Sequence, residues 1–86
     1  MSIINKLQEL PNIGKVTDTL LNEIGIHTPE ELRKVGSKEA FLWIRQKDPT
    51  ACLHMLYGLE GAVVGIKDNL LSKEIKKELK DFYNSL

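Results

Sequence analysis

Leu10-Pro11-Asn12-Ile13-Gly14-Lys15, followed ten residues later by Gly25-Ile26-His27-Thr28-Pro29-Glu30-Glu31-Leu32, is the stretch whose reading decides the fold. It reads as a helix-hairpin-helix over about residues 3–26. Pro11 disfavours helical geometry in the residue before it and so closes one short helix. Gly14 opens the next with no side chain in the way, leaving backbone N–H groups facing outward at the new helix start. Exposed N–H groups and the positive end of a helix dipole suit an anion, and Lys15 adds a full charge. Asn12, Gly14, Lys15 and Val16 are therefore the candidate phosphate-binding residues, with Lys6 as a second cation.

Working outward, Ser2 is positioned to cap a first helix in which Ile3, Ile4, Leu7 and Leu10 recur at helical spacing. A second helix is predicted over Lys15–Ile24, with Val16, Leu20 and Ile24 on its apolar stripe, Leu21 widening it, and Gly25 as its stop. Ile13 and Ile26 flank it as core plugs. Thr28-Pro29 with Glu31 is a helix start with a capping box, and Gly36 ends that short helix. Ser37 is expected to cap a fourth helix carrying Phe41, Leu42, Trp43 and Ile44. Asp48-Pro49 repeats the cap-plus-proline pattern and is expected to open the longest apolar helix, running to about Gly65. On it His54, Gly58, Gly61 and Gly65 share a face, which suggests a groove where another helix backbone crosses closely. Lys67-Asp68-Asn69 is a turn. Ser72 then caps a last helix with Ile75, Leu79, Phe82 and Leu86 on one stripe, and with Lys73, Lys76, Lys77 and Lys80 flanking Glu74, Glu78 and Asp81. No period-two alternation occurs, so the fold class is all-α: a small single-domain bundle of about five to six short helices over residues 1–86, containing one helix-hairpin-helix.

The totals narrow the function. Eighty-six residues make one modest core, and 42% apolar with 28% charged residues is ordinary globular composition. Twelve basic groups balance twelve acidic ones, so no overall field draws the chain onto nucleic acid or an anionic membrane. Neither half is a basic arm: residues 1–36 carry four basic and five acidic groups, residues 37–86 eight and seven. The single Cys52 rules out an intramolecular disulfide, and no secretory segment is recognisable at the N-terminus, so the expected location is cytoplasmic. Ala51–Ile66, the most apolar stretch, is interrupted by His54, Glu60 and three glycines and falls short of the roughly 20 residues a membrane span needs.

No catalytic constellation assembles. Cys52 and His54, two residues apart on one helix, would point about 200° away from each other and neither pair nor share a metal; a packed cysteine and a partly exposed histidine are expected instead. His27 has no second ligand at metal spacing. The glycines of the long helix lack the strand and the Gly-Lys-Ser/Thr of a phosphate loop. No catalytic residue, metal or cofactor is expected.

Together with the two opening segments, Leu56-Tyr57-Gly58-Leu59-Glu60-Gly61-Ala62 resembles the C-terminal domain of the TfoX (Sxy) competence regulators, over roughly residues 4–83. The resemblance implies an all-helical domain of a bacterial family linked to control of natural transformation, whose fuller members act as coactivators of competence genes alongside the cyclic-AMP receptor protein. Those members have a separate N-terminal domain, whereas this chain starts directly at the helical one. DNA-binding hairpins carry Gly-x-Gly at the turn where this chain has Asn12-Ile13-Gly14; asparagine at that position is what the resembled domain itself prefers. Asparagine tolerates positive φ, so the turn can keep its shape, but its side chain stands where a phosphate would approach.

Two functions follow. The first is a non-catalytic interaction module, contacting a protein of the transcription or competence machinery or a second copy of itself, with Trp43 and Tyr57 as anchors, since aromatic side chains dominate interface energetics. The second is weak, sequence-independent contact with the DNA backbone through the hairpin turn.

Overall fold

The computed structural model describes residues 6–86. Among these residues the fold has five α-helices: α1 (Lys15–Glu23), α2 (Pro29–Val35), α3 (Ser37–Lys47), α4 (Leu53–Val64) and α5 (Lys73–Asn84), with short 3-10 turns at Leu7–Glu9 and Asp68–Leu70. No strand occurs among the described residues, in keeping with the all-α reading. The expected Ser2 cap, Ile3 and Ile4 lie outside the described residues. What is described of the first limb is the single 3-10 turn at Leu7–Glu9, packing Leu7 inward.

Local signals set most boundaries. α1 ends in a Schellman arrangement: the Ile26 N–H donates to Leu21 O at 2.9 Å and the Gly25 N–H to Asn22 O at 3.1 Å, with Gly25 at φ 91°. Thr28 Oγ1 accepts from the Glu31 N–H, as expected, while the Glu31 carboxylate reaches one residue further back to the His27 N–H. Ser72 caps α5 by accepting from the Ile75 N–H.

Five expectations are corrected. The α4 helix begins at Leu53, not at Asp48-Pro49, because Asp48 organises a turn of its own. Its Oδ1 accepts from the Thr50 N–H and hydroxyl, and its carbonyl accepts from the Ala51 N–H. A local side-chain bond thus competes with the helix start. Ser37 is the first residue of α3 and not its cap; its buried Oγ donates to Glu60 Oε1 at 2.6 Å, tying α3 to α4. Cys52 is exposed at the α4 N-cap position and not packed. Val16 leaves the apolar stripe of α1 and stands 71% exposed, and Leu86 lies beyond α5, also exposed; Leu21 is the buried residue of α1.

The core runs through Leu7, Leu10, Ile13, Leu21, Ile26, Leu32, Phe41, Ile44, Leu56, Leu59 and Leu79. Residues of every limb meet around α4, the most apolar helix, which packs against α3, α5 and the 3-10 turn at Asp68–Leu70. Across the α3–α5 joint, Phe41 and Tyr83 rings lie 5.9 Å apart, the Arg45 guanidinium sits 5.2 Å over Tyr83, and Lys38 pairs with Glu78 at 2.7 Å.

Candidate interaction face at the hairpin turn

The turn at Leu10–Ile13 is built by its own residues. Pro11 fixes φ at the second position, Asn12 takes φ 69° at the third, and the Ile13 N–H donates to Leu10 O at 3.4 Å. Proline followed by a positive-φ residue is the signature of a type II turn. Asparagine tolerates this conformation, which costs most L residues about 1–2 kcal/mol. The turn keeps its shape without glycine at position 12. Gly14 adopts an extended φ of −94° as the α1 N-cap, with open space around a notional Cβ.

Asn12 also explains the glycines of α4. The Asn12 amide nitrogen donates to Gly58 O at 3.3 Å and to Ile66 O at 3.0 Å, and its carbonyl oxygen accepts from the Asp68 N–H at 3.1 Å. The chain leaves α4 through Gly65 in the left-handed conformation and doubles back, which brings Ile66 O and the Asp68 N–H to the turn. A Cβ on Gly61 would lie 2.6 Å from Ile66 O and collide with the Asn12 amide; one on Gly58 would touch Asn12 Cβ at 3.4 Å. The glycine groove thus receives the hairpin turn and the loop after α4, not a crossing helix.

Between this turn and α4 lies a cleft of about 400 Å³ lined by Asn12, Thr17, Cys52, His54, Met55, Gly58, Leu59 and Asp68. Met55 and Leu59 belong to or pack on the core and give it an apolar side; His54 Nε2 lies 3.4 Å from Asp68 Oδ2. Because Cys52 precedes α4, helical spacing does not separate it from His54, and both border the cleft. No cluster of three or more metal-binding side chains occurs among the described residues.

The expected site residues are distributed unevenly. Lys15 and Val16 stand exposed in the first turn of α1, which no side chain caps. Asn12 is turned onto α4. Lys6 borders a different hollow, with Glu9, Asp18, Asn22 and His27. Trp43 is half-buried beside Ile24, Gln46 and Lys47 at an open depression. Tyr57 is half-buried, its hydroxyl donating to Lys76 O at 3.4 Å across the α4–α5 joint. The cleft residues Thr17, His54, Met55 and Asp68 were missed by the sequence reading. Their signal was the glycine spacing, which marked a seat on α4 without naming its occupant.

The fold and this turn define a small all-α domain with a hairpin-like N-terminal turn seated on a glycine-bearing central helix. Residues 3–83 match the family model of the TfoX C-terminal domain, and the chain belongs to that family. Protein Sxy of Escherichia coli (strain K12) is 33% identical over 81 residues, which cover 94% of this chain and 39% of that protein. The chain therefore spans about two fifths of the length of this relative. Two crystal structures are similar throughout. A triclinic form of an uncharacterized Listeria monocytogenes protein is 54% identical, with a TM-score of 0.91 over 94% of this chain and 91% of that one. A tetragonal form of a Listeria monocytogenes protein of unknown function has the same identity and TM-score over 93% of this chain and 98% of that one. No helix among the described residues is long and apolar enough to cross a membrane.

Proposed function

We propose that this chain is a non-catalytic, cytoplasmic regulatory module of the competence-regulator type that works through contact with another protein. The observation that carries this reading is the first turn of α1. The position a DNA-binding hairpin offers to phosphate holds Val16, 71% exposed, and the neighbouring Asn12 amide is engaged by α4 and the Ile66–Asp68 loop. One adjacent lysine and a neutral chain supply little of the multiple-phosphate neutralisation that non-specific DNA affinity rests on. An exposed aliphatic side chain beside orphan N–H groups suits a protein surface that brings both apolar and acceptor groups.

Weak contact with the DNA backbone is the second reading, favoured by the uncapped start of α1 and the exposed Lys15. One substitution separates the two. In a chimaera in which this chain replaces the matching stretch of Protein Sxy, transcription of a competence-gene reporter is measured with and without Val16→Lys. A protein-contact face loses its apolar group and gains a cation, so activation drops several-fold; a phosphate-contact face gains charge, and activation holds or rises.

A further inference from the structure

We infer that α1 is a self-association face: two copies of this chain pair along it, antiparallel and two-fold, through Val16, Leu20 and Ile24, with Lys15 of each copy set against Glu23 of the other. This deepens the protein-contact reading by naming its partner, and rests on it.

The face follows from how α1 sits in the fold. Successive helical residues lie about 100° apart around the axis, so Val16, Leu20 and Ile24 form one row and Lys15, Thr19 and Glu23 the row beside it. On the opposite side of the apolar row Leu21 is fully buried and turns that side into the core. The charged row is exposed throughout, and the apolar row is left open along its outer edge, with Val16 71% exposed and Leu20 and Ile24 half-buried. At its far end Ile24 shares an open depression with half-buried Trp43 and exposed Gln46 and Lys47, which carries the apolar surface onto α3.

Charge selects a second copy. The helix carries a cation at its first residue, Lys15, and an anion at its last, Glu23. Both oppose the helix dipole, which favours acids at the N-terminus and bases at the C-terminus, and neither has an ion-pair partner among the described residues. Asp18, the acid of the first turn, is engaged by Gln8 and Asn22. Within one molecule the placement of Lys15 and Glu23 breaks a local rule with no local compensation. In an antiparallel pair it becomes favourable: each Lys15 meets the Glu23 and negative dipole end of the partner helix, and each Glu23 meets the Lys15 and positive end. The pattern is also symmetric, as an isologous contact requires. About the centre of the helix Val16 exchanges with Ile24 and Lys15 with Glu23, and the residues that meet their own copies, Leu20 and Thr19, are uncharged. Rows of four-residue spacing on both helices form ridges that interdigitate. A basic helix, an acidic helix or duplex DNA would answer only one end of this pattern.

The test is a dilution series of the 15N-labelled chain up to about 1 mM, followed by sedimentation and by amide shifts. One short helix and one tryptophan make a contact smaller than the roughly 1,200 Å² of stable complexes, so a Kd between about 10 µM and 1 mM is expected. The mean mass should rise from 9.8 kDa toward twice that value, with shifts gathered on Val16, Thr19, Leu20, Glu23 and the Trp43 indole. Val16→Lys should abolish association. Lys15→Glu and Glu23→Lys each set like charges across the pair at both of its ends and should weaken it about tenfold; both suit the helix dipole, so neither should unfold the chain. Mixing the two single variants, or joining both substitutions in one chain, should restore association. The proposal is overturned by a mass that stays at 9.8 kDa up to about 1 mM, by single variants that associate as well as the parent, by a double variant that does not recover, or by shifts centred on Phe82 and Leu86. It is also overturned if a 20-base-pair duplex moves the α1 resonances and concentration of the chain does not. If the chain stays monomeric while Val16→Lys still abolishes reporter activation, the partner is a different protein and the protein-contact reading stands without this inference. If Val16→Lys changes neither association nor activation, both fall.

Discussion

Asn12 carries more of this structure than its exposed position suggests. It supplies the positive φ of the turn and three hydrogen bonds to residues 46 to 56 positions away. Asn12→Ala combines an unfavourable backbone conformation with the loss of those bonds, a cost of about 3 kcal/mol. Asn12→Gly keeps the turn geometry at no steric cost and loses only the bonds, so it should fall by about half as much. Urea unfolding midpoints with an unchanged slope would register both. A Gly variant as stable as the parent would show that the amide contributes nothing. Asparagine at position 12 was legible in the sequence as a residue that tolerates the turn. Its three partners were not, because they lie about fifty residues on and depend on how the chain exits α4.

At the scale of the element, helix ends carried by side-chain caps or stop glycines could be read directly: Thr28 and Ser72 cap as expected, and Gly25 closes α1. The start of α4 could not. Asp48-Pro49 has the composition of a helix start, yet the Asp48 carboxylate satisfies Thr50 in a turn and the helix waits for Leu53. Both outcomes use the same hydrogen-bonding groups, so composition alone does not choose between them. The glycine face of α4 was legible as a close approach, but what approaches is a turn. Gly58 and Gly61 therefore part company. Gly61→Ala drives a Cβ into Ile66 O and the Asn12 amide, groups that are backbone or held by it, and should destabilise by about 2 kcal/mol or more. Gly58→Ala makes ordinary contact at 3.4 Å and recovers helix propensity worth up to about 1 kcal/mol, so it should be neutral or mildly stabilising. Thermal unfolding of the two variants side by side checks the geometry; equal losses would contradict it.

For the whole molecule, composition and apolar periodicity were enough to place an all-α single core: of the residues marked as stripe or plug, Leu7, Leu10, Ile13, Leu21, Ile26, Phe41, Ile44 and Leu79 are buried, Leu20, Ile24, Ile75 and Phe82 are half-buried, and Val16 and Leu86 are exposed. The interaction face was only half legible. Lys15 and Val16 were marked as a phosphate site, but Val16 was also assigned to a buried stripe, and the cleft against α4 arises from the meeting of three segments that no local pattern links. The charge balance argued throughout against nucleic acid, and the geometry of the turn supports the same reading. The measurement that tests this most directly is fluorescence anisotropy of a labelled 20-base-pair duplex titrated with the chain at low and then physiological salt, with Lys15→Glu as the control. No saturable binding is expected at either salt, and no difference between the two proteins. Binding that weakens steeply with salt and disappears in Lys15→Glu would contradict it and make the hairpin turn a phosphate site.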